Sequence, residues 1–124
     1  MDILMVAAQQ DFRDEEFTEP RHVLKAAGHR VVICSKEAGA CTSVKGSTLI
    51  ASVALATCGS IVSTALSSWA GRAHARSSTT WAAHRIAVEM SRASKVLGAT
   101  CIAPVILARA GVLVGRRATR ACRR

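Results

Sequence analysis

The stretch KVLGATCIAPVILARAG, residues 95–111, decides the fold class because it joins a strand, a turn and a helix within a few residues. Residues 95–100 are a short apolar run of strand length. Pro104 stands where the first turn of a helix would be, and residues 105–111 continue that helix to a terminal glycine. The pattern predicts a strand that leads through Cys101 into a helix.

The position of Cys101 between strand and helix favours a nucleophile. A helix N-terminus carries partial positive charge and free N–H groups, which can lower a cysteine pKa from about 8.5 to about 3.5–7.5. The N–H of Ile102 would then help to bind an oxyanion, as in a nucleophile elbow. The alternative is a small buried cysteine that fills a gap in the core.

The two ends of the chain predict an alternation of strands and helices. In chain order the predicted elements are a strand at 3–7, a polar acidic loop at 9–19, a helix from Pro20 to Gly28, a strand at 30–34, a loop or short hairpin at 35–46, a helix at 83–94 and a strand lead-in at 112–119. The first two strands should pair in parallel through a right-handed crossover. Val23, Leu24 and Ala27 share one face of the first helix.

The composition indicates one domain of 124 residues with free thiols. The five cysteines are irregularly spaced without a CxxC, so neither a zinc site nor a disulfide framework is indicated, and a cytoplasmic location is expected. No metal or cofactor motif is present in the sequence. The formal charge of +9 suggests an anionic partner such as nucleic acid or a membrane surface, but no carboxylate occurs between Glu37 and Glu89. The basic excess therefore reflects missing acids as much as added bases.

Two segments closely resemble the ThiJ/PfpI family of intracellular protease- and amidase-like proteins. Residues 95–119 resemble its nucleophile segment, and residues 1–39 resemble its first strand, acidic loop and first helix. The resemblance implies a flavodoxin-like parallel sheet with helices on both faces, usually in a homodimer. It also implies cysteine-dependent hydrolase, glyoxalase or deglycase chemistry on a small carbonyl or amide.

The resemblance assigns the site residues. Cys101 takes the place of the family's nucleophile, and Glu16, four residues before Pro20, takes the place of the glutamate that reaches it. A protonated Glu16 could donate a hydrogen bond to the thiolate and hold its pKa down. The alternative for Glu16 is a solvated acid in an acidic loop.

The sequence departs from the family in three places. Ile102 replaces the histidine found in members argued to be peptidases, so the thiol has no visible histidine base. The family's glycine-rich GGPG-type turn, expected near residues 69–73, is absent, and the family continues beyond Thr119. These departures leave an inactive, non-enzymatic remnant as one alternative. A small basic nucleic-acid- or membrane-associated protein is another, which we do not favour because the arginine-rich end has no interleaved aromatics.

Residues 47–82 form an anomalous segment. Of these 36 residues 21 are Ser, Thr or Ala, and none is Asp, Glu, Lys or Pro. A membrane span needs about 20 apolar residues, and this segment is too diluted with Ser, Thr and Gly to favour one. With the reading frame shifted by two bases, codons for residues 69–76 can encode Gly-Gly-Pro-Gly-Ala-Arg, a free position and the start of Glu. We therefore interpret the chain as a single incomplete domain: a strand–helix–strand unit at 1–46, an out-of-frame segment at 47–82, and a helix, strand, elbow and helix at 83–119.

Sequencing the coding DNA from codon 40 past the stop tests this frame hypothesis. We expect one or two restored bases to produce a glycine turn near residue 70 and a longer C-terminus, with a matching protein mass. An unchanged DNA sequence, together with a protein of the mass of these 124 residues, would locate the frame change in the gene itself and favour the inactive remnant.

Overall fold

The computed structural model describes residues 1–58, 64–69 and 79–119, with residues 64–69 and 79–80 described through their backbone. The elements of this part of the chain are β1 (Asp2–Ala7), β2 (Gln10–Phe12), α1 (Asp14–Ala26), β3 (Arg30–Ser35), β4 (Gly39–Ser43), β5 (Thr48–Ala51), β6 (Val53–Ala54), β7 (Thr64–Trp69), α2 (Thr79–Arg92), β8 (Val96–Cys101) and α3 (Pro104–Arg109). None of these helices is long and apolar enough to cross a membrane.

The main sheet is parallel and has the strand order β6-β3-β1-β7-β8. β1 lies in its centre, where Leu4 pairs with Val32 of β3 on one side and with Ala65 of β7 on the other. The predicted parallel pairing of the first two strands of the strand–helix–strand unit is confirmed. The chain proceeds from β1 to one edge of the sheet and then from β7 to the other, which is the arrangement of doubly wound α/β folds.

Alternate residues of β1 face two separate hydrophobic cores, because successive side chains of a strand point to opposite faces. Ile3 and Met5 pack in one core with Phe17 of α1. Leu4 packs in the other core with Ile86 of α2. Helices therefore cover both faces of the parallel sheet, and the predicted flavodoxin-like class is confirmed.

A second, three-stranded sheet has the order β2-β4-β5 and packs on the α1 side of the main sheet. β4 and β5 form an antiparallel hairpin. Of the two alternatives predicted for residues 35–46, the hairpin is therefore the one found, and it extends to Ala51. β2 lies within the stretch that the sequence predicted as loop, and it pairs in parallel with β4. This small sheet lies beside the start of α1.

Helix α1 begins at Asp14, so the prediction that Pro20 opens the helix is wrong. The acidic residues Asp14, Glu15 and Glu16 occupy its first turn, where negative charge is favoured by the helix dipole. Pro20 lies inside the helix and has no N–H to donate to the carbonyl of Glu16. The acidic stretch is therefore the first turn of a helix.

Two further predictions need correction. Val23 is 63% exposed and does not face the core, whereas Leu24 packs partly against it. Residues 112–119 form turns and extended chain, and the described residues contain no strand there. The helix predicted at 83–94 is α2, which begins earlier, at Thr79.

The segment at 47–82 is less irregular than its composition suggested. Its described residues include β5, β6 and β7, and β7 pairs with β1 and β8 on both of its edges. Backbone N–H and C=O groups make these pairs, so a Ser- and Thr-rich run can occupy a central strand. Residues 70–73, where the family's glycine turn is expected, lie outside the described residues, and the out-of-frame origin stays a prediction.

The helix ends show a matched pair of C-terminal caps. After α1, the His29 N–H bonds to the Leu24 carbonyl at 3.1 Å and Gly28 has φ +81°, which is a Schellman motif. After α2, the Lys95 N–H bonds to the Met90 carbonyl at 2.9 Å, but the left-handed position is Ser94, with φ +53°. A side chain at such a φ is strained, at a cost of about 1–2 kcal/mol.

We expect Ser94→Gly to raise the free energy of unfolding by up to about 1 kcal/mol, because glycine adopts the left-handed conformation without strain. Gly28→Ala should lower it by a similar amount, since a Cβ there meets no neighbour and the effect is conformational. Urea denaturation followed by circular dichroism measures both changes. A destabilised Ser94→Gly protein would contradict the assignment of this cap.

Candidate active site

Cys101 ends β8 at a sharp turn. Its φ is +57°, a left-handed conformation that is uncommon for a residue with a side chain. The Ala103 N–H bonds to the Thr100 carbonyl at 3.0 Å, and α3 follows directly from Pro104. Such strain costs about 1–3 kcal/mol and occurs often at active sites. The geometry is that of the predicted strand–elbow–helix, and the thiol is half-buried.

Glu16 meets Cys101, although the two residues lie 85 positions apart in the sequence (101 minus 16). The carboxylate acts on the thiol through its charge and through a hydrogen-bonding contact. Glu16 Oε2 is buried and has no hydrogen-bond partner among the described residues. A carboxylate that acts on a thiol is a candidate acceptor for the thiol proton.

The pKa of the Cys101 thiol lies above its ordinary value. Desolvation is the largest cause, and the charge and hydrogen bond of Glu16 add to it. The N–H of Ile102 and the charge of Arg13 oppose the shift. The expected lowering of the Cys101 pKa is therefore not found, because burial and a carboxylate next to the sulfur both disfavour the thiolate. The hydrogen bond from a protonated Glu16 to the thiolate stays a prediction.

The first turn of α1 is attached to the β4–β5 hairpin, and this attachment positions Glu16. Burial desolvates the Asp14 carboxylate, but hydrogen bonds from the Ser47 and Ser43 hydroxyls outweigh that effect and lower its pKa. Glu15 forms an ion pair with Lys45 on the same hairpin. Because these contacts fix the turn, they also fix the backbone position of Glu16. The Glu16 side chain is 26% exposed.

Ile102 contributes its backbone to the site. Its N–H bonds to the Cys101 side chain and lowers the thiol pKa. Its side chain is partly exposed and has no acid or base. The oxyanion role of this N–H stays a prediction.

Arg13 is a site residue that the sequence reasoning missed. Its Nε lies 4.0 Å from Glu16 Oε1, and its charge lowers the pKa of Cys101. Arg13 precedes Glu16 by three positions, a spacing that brings side chains together on a helix. The predicted loop at 9–19 gave no reason to expect this contact, since residues three positions apart become neighbours in a helix and not in a loop.

The other described cysteines are core residues. Cys34, Cys41 and Cys58 are buried, at 0%, 0% and 5% exposure. Desolvation raises the pKa of Cys34, and the neighbouring Cys58 raises it further. No group of three or more potential metal ligands occurs among the residues that the structure describes.

Comparison with known proteins identifies the family. The model of the DJ-1/PfpI family matches residues 1–122. The chain belongs to the DJ-1/PfpI family. The predicted ThiJ/PfpI resemblance is thereby confirmed, and the match includes the anomalous segment.

The family's relatives include archaeal proteins of greater length. The chain is 32% identical to the protein MJ0967 of Methanocaldococcus jannaschii, over 94% of this chain and 58% of that one. It is 36% identical to the deglycase PYRAB04690 of Pyrococcus abyssi, over 96% of this chain and 71% of that one. The chain thus spans a little over half of the first relative and less than three quarters of the second.

Solved structures share the fold. The ThiJ/PfpI domain protein of Brachyspira murdochii superposes with a TM-score of 0.80 at 19% identity, over 90% of this chain and 65% of that one. Oxidized Toxoplasma gondii DJ-1 superposes with a TM-score of 0.78 at 20% identity, over 96% of this chain and 66% of that one. At this level of identity the likeness shows the fold alone.

We expect Glu16→Gln to lower the pKa of Cys101 and to increase its rate of labelling by iodoacetamide at neutral pH, because the nearby negative charge is removed. The rate is measured against pH by mass spectrometry in a Cys122→Ser background, and the three buried cysteines should stay unlabelled. Glu19→Gln is the matched control, because Glu19 is an exposed acid on the same helix. A pKa that rises in Glu16→Gln would show instead that Glu16 donates a proton to the thiolate.

Proposed function

We propose that the protein is a cysteine-dependent enzyme of deglycase or hydrolase type that acts on a small carbonyl or amide compound. The observation that carries this proposal is the half-buried Cys101 thiol at a strained elbow, on which the Glu16 carboxylate acts. The names of the Pyrococcus relatives, which are called deglycases, support the same class. The protein is further proposed to act as a cytoplasmic homodimer, by analogy with the family.

In the proposed reaction Glu16 takes the proton of the Cys101 thiol as the sulfur attacks the carbonyl carbon. A sulfur–carbon bond forms, the carbonyl π bond breaks, and its electron pair moves to the oxygen. The protonated Glu16 then returns the proton to that oxygen, which gives a neutral hemithioacetal when the substrate is an aldehyde. With methylglyoxal, transfer of the proton on C1 to C2 converts this adduct into a lactoyl thioester, and water hydrolyses the thioester to lactate and restores the thiol. A carboxylate base suits this site because Ile102 offers no histidine.

The raised pKa of Cys101 fits this order of events. A thiol that keeps its proton at rest becomes a nucleophile when the base removes the proton during attack. Glu16 therefore lowers the resting reactivity of the sulfur and supplies the acceptor that turnover needs. The Ile102 N–H is proposed to stabilise the negative charge that develops on the oxygen.

Consumption of methylglyoxal by the purified protein tests the proposal. We expect Cys101→Ser to abolish turnover and Glu16→Gln to reduce kcat/KM by about 10²–10⁴-fold, the usual contribution of general acid–base catalysis. Cys122→Ser is the control that removes a thiol from outside the described residues, and circular dichroism verifies that each variant folds.

The combination of results identifies the role of Glu16. Faster alkylation together with slower turnover in Glu16→Gln supports a general base. A folded wild-type protein without turnover on aldehydes, amides or glycated amines would instead support the inactive remnant.

A further inference from the structure

We propose that Arg13 makes the site selective for carbonyl compounds that carry a carboxylate, such as a 2-oxo acid with a free aldehyde. This inference rests on the proposed function, because it places the reacting carbonyl at Cys101. The proposal concerns the charge beside the thiol. The effect of that charge on the alkylation of Cys101 can be measured without any turnover.

The position of Arg13 places a cation at the mouth of the site. Arg13 is the N-cap residue of α1, and its backbone is extended, with φ −86° and ψ 126°. Its charge acts on the Cys101 thiol, and its Nε lies 4.0 Å from Glu16 Oε1. The same guanidinium is thus near both residues that the proposed reaction uses.

The guanidinium has capacity for a second anion. The 4.0 Å separation from Glu16 is longer than a hydrogen bond, and it involves Nε alone. A guanidinium has five N–H donors in a planar fork that matches a carboxylate. The Arg13 side chain is 63% exposed, so a ligand can reach it from the solvent.

The charge balance of the reaction favours an anionic substrate. Before attack the neutral thiol, the Glu16 anion and the Arg13 cation sum to zero. When Glu16 accepts the thiol proton it becomes neutral, and its electrostatic attraction to Arg13 is lost. A substrate carboxylate then supplies the partner that Arg13 needs at that moment, so the interaction is strengthened as the reaction proceeds. The net charge of +9 also favours the approach of anions.

The reaction with such a substrate balances. With glyoxylate, the Cys101 sulfur bonds to the aldehyde carbon, the carbonyl π bond breaks, and the thiol proton passes through Glu16 to the oxygen. The product is the hemithioacetal of glyoxylate, with its carboxylate against Arg13. No oxidant, reductant or metal is needed.

The local charge is tested with two alkylating agents of similar size, iodoacetate and iodoacetamide, which differ by one negative charge. Their rate ratio at Cys101 is compared with the ratio at a small free thiol, so that differences in thiolate fraction cancel. We expect the ratio at Cys101 to fall about threefold in Arg13→Gln, because the Glu16 charge that opposes iodoacetate is then unbalanced, and we call this difference the alkylation preference. A ratio unchanged in Arg13→Gln would overturn the proposal.

The control variants separate charge from shape. Lys25→Gln makes the same charge change on the same helix, about 18 Å further along its axis, and should keep the wild-type ratio. Arg13→Lys keeps the charge but loses the fork, so it should keep most of the alkylation preference. Loss of the preference in Lys25→Gln would show that net charge, rather than Arg13, causes it.

Reversible adduct formation with glyoxylate and methylglyoxal completes the test, measured as protection of Cys101 against iodoacetamide. Arg13→Gln should weaken protection by glyoxylate about tenfold and leave protection by the neutral aldehyde nearly unaffected. An equal loss with both aldehydes would overturn the selectivity. If methylglyoxal is not consumed by wild-type protein, the proposed function fails, while the alkylation ratio still decides whether Arg13 presents a cation to ligands at Cys101.

Discussion

The enclosure of β1 is the constraint on which the rest of the structure depends. No residue from Ile3 to Ala7 exceeds 5% exposure, and the strand is paired on both edges. Apolar burial on both faces stabilises a strand by about 25 cal/mol per Å² of surface removed from water. Because its neighbours run parallel to it, the carboxyl ends of β1, β7 and β8 lie at one edge of the sheet. That shared edge brings the chain after β1, which leads to Glu16, towards the elbow at Cys101.

The site combines local strain with a rigid support. Cys101 keeps a left-handed backbone because β8 pairs with β7 up to Trp69 and α3 begins three residues later. Glu16 is held differently, through the attachment of the first turn of α1 to the β4–β5 hairpin. A small sheet far from the thiol in sequence thus supports the position of Glu16.

Two residues of opposite charge act on the Cys101 thiol, where Ile102 supplies a backbone N–H and an apolar side chain. Desolvation is the largest cause of the raised pKa of the thiol, the Glu16 carboxylate adds to it, and the Arg13 guanidinium opposes it. Each of the two charges can be removed alone by substitution.

By itself the sequence determined the parallel strand–helix–strand unit and the elbow, since apolar runs, glycine stops and Pro104 are local signals, but it left a loop or a hairpin open at 35–46. The matching of two segments to a known family also placed Glu16 with Cys101. Tertiary structure alone decided where α1 begins, that a Ser- and Thr-rich run becomes the central strand β7, and that the pKa of Cys101 rises. Sequence periodicity indicates contacts between residues that lie a few positions apart. Strand pairing and electrostatic interactions join distant residues that only folding brings together. Arg13 was missed for this reason: its charge acts on Cys101 only in the folded chain, because the two residues lie far apart in the sequence.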